Sequence, residues 1–148
     1  MSDRKKLGRI QRLVWLKERR RDAAQAQLAE ARARANAAAE RAEDAEQRFE
    51  HEAADSDAPP SDTPMSDWMV QRQHVTALGL EAEDAHHVRC QAESTAAERR
   101  GEVHDAEREL RQMERWSEVE GARAELEGQR REQSATDELA AQITERKR

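Results

Sequence analysis

Residues 23–45 read "AAQAQLAEARARANAAAERAEDA", and 12 of these 23 residues are alanine. Alanine favours helix more than any other residue, yet it buries very little surface. Read at helical spacing, Ala24, Leu28, Ala31, Ala35, Ala38, Ala42 and Ala45 fall on one stripe at alternating steps of three and four. Such a stripe cannot build a thick core. It can line a thin seam against a second helix.

The stripe continues outward. Leu7, Ile10, Val14, Lys17 and Arg21 precede it in the same frame, and Phe49 follows it. A second run with the same spacing passes through Leu78, Ala82, Ala85, Arg89, Ala92, Ala96, Arg99, Val103, Ala106, Leu110 and Met113. The prolines, Pro59, Pro60 and Pro64, all lie between the two runs in "DSDAPPSDTPMSD". Proline stops helices, and Thr63 before Pro64 suits a helix start, with Thr63 as N-cap and Pro64 in the first helical position. The pattern predicts an all-α fold: a long antiparallel two-helix coiled-coil hairpin. Its helices span about residues 3–54 and 64–145, joined by a Pro-rich turn at about 55–63. At ~1.5 Å per residue the helices are roughly 78 Å and 123 Å long. The five glycines mark bends in this reading, not domain boundaries.

Composition agrees. Of 148 residues, 39% are charged and 3% aromatic, too little bulk for a conventional globular core. The heptads favour a charged rod over a disordered chain. One cysteine, Cys90, precludes an intrachain disulfide. No run of about 18 apolar residues exists to span a membrane. The start "MSDRKKLGRIQRLVWLKERRRD" fails as a signal peptide, because charges interrupt its apolar run. The expectation is a soluble cytoplasmic protein. Charge is uneven: residues 1–21 hold nine Lys/Arg against Asp3 and Glu18, the closing "ERKR" is also basic, and the middle is acidic enough to bring the net charge to −6.

Pairing bulk with bulk at the open end gives a frame with Leu7 opposite Met113, Ile10 opposite Leu110, Val14 opposite Ala106 and Ala38 opposite Ala82. Its weak layer sets Arg21 against Arg99. A one-heptad slip that places Arg89 opposite Ala24 removes that clash, and both frames stay open. After Met113 the apolar residues Trp116, Val119, Ala122, Leu126, Leu139 and Ile143 leave the heptad frame. Residues from about 114 to 148 are therefore expected to project beyond the paired region of a single elongated hairpin.

No catalytic constellation is legible: there is no Gly-rich phosphate loop, no nucleophile with a base, no paired cysteines. The reading is non-enzymatic, with no cofactor and no metal. His86 and Cys90 stand four apart on a helix, but zinc needs further ligands that the spacing does not supply. The run "KERRRD" could touch phosphates. Without a reading motif, in an acidic chain, it argues for protein contact rather than nucleic acid. The informative feature is surplus hydrophobicity. In "RIQRLVWLKE" the seam needs only Ile10 and Val14; Leu13 flanks it, and Trp15 and Leu16 point outward among arginines. That is the composition of a protein-binding hot spot. A second surplus, including Met65, Trp68 and Met69, lies beside the turn.

The run "LGRIQRLVWLKERRRDAAQAQLAEARARANAA" resembles the start of the YscO/FliJ type III secretion stalk proteins. The resemblance rests on Leu7, Leu13, Leu16, Arg20, Ala23 or Ala24, Leu28 and Ala31. The length, the central break and the longer second helix also fit. The resemblance implies a helical hairpin like the central stalk of F-type ATPases. It implies a non-enzymatic stalk whose partners are a hexameric secretion ATPase and the membrane protein of the export gate, with secretion chaperones as further partners. Carried onto this chain, the ATPase end comprises Arg9, Arg12, Leu13, Trp15, Leu16, Arg19, Arg20 and Trp116, and the gate end Phe49, Trp68 and Met69. The implied location is cytoplasmic, peripheral to the inner membrane at the secretion apparatus, without membrane insertion. Injectisome and flagellar systems both remain open. A scaffold or escort for secretion chaperones is the alternative.

Overall fold

The computed structural model describes residues 2–56 and 61–146, with side chains from residue 5 onward. Pro59 and Pro60 of the turn, the Arg4 side chain, and Lys147 and Arg148 of the basic end lie outside the described residues. Two helices form: α1, Ser2–Asp55, and α2, Met65–Arg146. They pack against each other as a helical hairpin, with bounds within about two residues of those expected. No helix among the described residues is long and apolar enough to cross a membrane.

α2 starts one residue later than its sequence suggests. The first intrahelical bonds run from the Asp67 and Trp68 amides to the Pro64 carbonyl, at 3.1 and 3.2 Å. Pro64, not Thr63, thus stands at the cap, where a missing N–H costs nothing.

Each helix contributes to two compact units. One unit is Ala24–Val103; the other joins the segment up to Ala23 with the segment from His104. In the Ala24–Val103 unit, Ala31, Ala35 and Ala96 form a buried cluster with Ala92 packed against it. Leu28, Ala38, Ala42, Ala45 and Val103 are also buried. Burying a methyl-sized group contributes only about 0.8 kcal/mol, so many weak layers share the work. The stripe also runs beyond the residues that revealed it. Gln71 and Val75 on α2, and Glu52 and Ser56 by the end of α1, are half-buried or buried in the same three-four spacing.

In the other unit Ile10 is 2% exposed and Leu110 4%, the most buried large side chains among the described residues. Its stripe continues past Met113 through Ser117, Glu120 and Ala124, all at least half-buried. The seam therefore keeps its frame where the apolar residues leave it. From Glu125 to Arg146 α2 is exposed along its whole length. The solvated stretch begins later than residue 114.

The register differs from both expected frames. In one unit Lys17 reaches Glu109 at 2.6 Å and Lys6 reaches Glu120 at 2.9 Å. In the other, Arg99 donates to Gln27 at 3.2 Å and Arg48 pairs with Glu81 at 3.1 Å. These pairs set α2 about one heptad on from the frame that put Ile10 opposite Leu110, in the direction away from the alternative slip. Val14 now lies level with Met113, and Ala42 with Ala85. The Arg21–Arg99 layer is absent from this frame. Here Arg99 lies level with Leu28 and holds Gln27 and Glu102, while Arg21 holds Asp22.

Candidate protein-binding surfaces

The first surface belongs to the unit formed by the segment up to Ala23 and the segment from His104. Lys17 sits at a seam position, and its ammonium donates to Glu109, which also accepts from Arg20 at 2.9 Å. The Lys17 hydrogen bond, reinforced by the Arg20 charge, holds the Glu109 carboxyl below its ordinary range against the opposing effect of desolvation. The Lys6 hydrogen bond lowers Glu120 in the same way, with further help from Lys6 and Arg123 charge and the Trp116 indole N–H.

The Arg20–Glu109 pair spans one flank of the hairpin. Leu13 lies one heptad before Arg20, and Trp116 one heptad after Glu109, so in an antiparallel pair both fall on that same flank. Leu16 and Val119, three residues further along each helix, lie just outside them. All four are exposed: Leu13 38%, Leu16 54%, Trp116 42% and Val119 53%. The result is an apolar strip bordered by Arg9 and Arg20. Trp15, 53% exposed, is turned away from this strip; Arg19 stacks over its ring at 4.9 Å. Arg12 and Arg19, a heptad apart, line the outward face of α1. The structure thus groups Leu13, Leu16, Arg20 and Trp116, and separates Trp15 with Arg12 and Arg19. Val119 belongs to the strip and was absent from the residues expected at this end. Its heptad position, equivalent to that of Leu16, was the available signal.

The second surface is in the Ala24–Val103 unit, at the start of α2. Trp68, Met69, Arg72, Gln73 and Thr76 line a shallow groove. Arg72 lies 5.3 Å from the Trp68 ring centroid. Met69 is 54% exposed, and its neighbours Met65 and Val70 are also exposed. The Trp68 Nε1 is buried with no hydrogen-bond partner among the described residues. Trp68 is therefore half structural, with Met69 and Met65 the more available contacts. Phe49 is half-buried with its ring against Gly79, so part of its surface serves internal packing.

Among the described residues no three His, Cys, Asp or Glu side chains converge to hold a metal ion. Cys90 is exposed. What both surfaces offer is exposed apolar and aromatic area among cations, suited to binding protein.

No curated protein and no solved structure matches the chain. A family model described as "Flagellar FliJ protein" matches residues 5–148, nearly the whole chain, including both helices and both surfaces. Helical hairpin, heptad seam and family match agree: the chain belongs to the FliJ family, the non-catalytic stalk-like components of flagellar and type III protein export.

Proposed function

We propose that this chain is the central stalk of a type III export apparatus. In this reading one end inserts into the hexameric export ATPase and the other contacts the export-gate membrane protein, so that the stalk links the two and promotes export. The ATPase end carries Arg9, Arg12, Leu13, Trp15, Leu16, Arg19, Arg20 and Trp116. The gate end carries Trp68 and Met69, with Phe49 supporting them. The protein works in the cytoplasm at the membrane-bound apparatus, without membrane insertion. Membership of the FliJ family supplies the kind of partner. The observation that carries the reading is the exposed strip of Leu13, Leu16, Trp116 and Val119 bordered by Arg9 and Arg20. A monomer gains nothing from such a strip, and a partner gains a hot spot.

The test is ATP hydrolysis by the purified cognate export ATPase with and without the full chain. Stimulation is expected. Trp15→Ala with Leu16→Ala is expected to weaken binding about 30-fold or more, since hot-spot truncations cost at least about 2 kcal/mol. Helix content should stay unchanged, because both side chains are exposed. Wild-type chain that neither binds nor stimulates the ATPase contradicts the proposal.

A further inference from the structure

The Ala24–Val103 unit has a register problem that its seam cannot solve by shape. Coiled coils select a register by fitting unlike knobs into matching holes. Here Ala31, Ala35, Ala38, Ala42 and Ala45 on α1 face a stripe in which Ala82, Ala85, Ala92 and Ala96 recur. A shift of α2 by one heptad again sets alanine against alanine in several layers. Of the polar contacts between the helices in this unit, Arg48–Glu81 is exposed on both sides and Arg99–Gln27 is one exposed hydrogen bond, and such pairs contribute weakly.

One contact in this unit is not repeatable. A Cβ built on Gly79 would meet the Phe49 ring at 3.2 Å, closer than most packed Cβ contacts, so the ring would have to give way. Gly79 is helical and has no positive φ, so backbone conformation does not demand a glycine there. Space for the ring does. The residues one heptad to either side of Gly79 are Arg72 and His86. Neither leaves room for the ring, and Arg72 is already stacked on Trp68.

We propose that Phe49 and Gly79 form a register latch. It holds this hairpin at one heptad setting among several that the alanine seam leaves nearly equivalent. With the latch open, re-pairing of α2 by a heptad becomes accessible, and a seam rich in alanine is a natural track for it. The inference does not depend on which partners bind the chain.

Disulfide trapping in the full chain tests it, in a Cys90→Ser background. Ala42→Cys with Ala85→Cys reports the observed frame. Ala35→Cys with Ala85→Cys, away from the latch, reports a one-heptad slip. The parent should close the first pair and scarcely the second. Phe49→Ala, and separately the series Gly79→Ala, Gly79→Ser and Gly79→Leu, should raise the slipped product at least fivefold, more for larger side chains, with circular dichroism showing retained helix. An unchanged ratio of products in folded variants overturns the proposal. So does a parallel fall of both products, which would show loss of packing rather than a change of register.

Discussion

Glu109 accepts from both Lys17 and Arg20, and its carboxyl is held below the ordinary value of 4.5. A carboxyl depressed in the folded state contributes stability that is present above its unfolded pKa and lost as pH falls through the folded one. The melting temperature should therefore decline as pH drops below about 4.5. Glu109→Gln should flatten that decline, and a decline equally steep in the variant would remove Glu109 as its source. Apolar residues divide by burial. Ile10→Ala removes the most buried bulky side chain and should cost about 2–5 kcal/mol in urea unfolding. Ala38→Gly, in the alanine seam, should cost about 1 kcal/mol, mostly helix propensity. Equal costs would contradict the division between a bulky closure and a thin seam. Exposure of Leu13, Trp15 and Leu16 was legible from heptad position alone. Their grouping was not, since Leu13 and Trp116 share a flank only through the register of a second helix. Gly79 was read as a bend, because a sequence shows a missing side chain and not the ring that occupies its place.

The elements themselves were plain in the sequence. Period and the proline cluster left one arrangement, and the seam positions named from spacing are all at least half-buried. Register was harder, because several frames satisfy the same period. Matching bulk to bulk favoured Ile10 against Leu110, whereas in the structure Lys17, Lys6 and Arg99 find their partners in a different frame. The seam beyond Met113 was hidden for a related reason: Ser117 and Glu120 occupy it, and polar residues carry no hydrophobic signal. Arg99 lies level with buried Leu28, so Arg99→Leu should stabilise the chain by about 1 kcal/mol or more through added apolar burial. Destabilisation in urea would show that the Gln27 and Glu102 hydrogen bonds outweigh it.

For the whole molecule, the distribution of stability is itself a functional statement. Residues 125–146 form a helix exposed along its length, and a charged helix without a packed face is marginal. Amide exchange should be fastest there and slowest around Ile10 and Leu110, and uniform protection along α2 would contradict this. Each unit keeps exposed apolar residues for contacts: Leu13, Leu16, Trp116 and Val119 in one, Met65 and Met69 in the other. The central claim is that these contacts are divided between two partners. Its most direct measurement places a photo-crosslinking residue at Leu16 or at Met69, each 54% exposed, and identifies what is captured in cells carrying the export apparatus. The account predicts the export ATPase at position 16 and the gate protein at position 69. Capture of the ATPase at neither position, or of the two partners at exchanged positions, would contradict it.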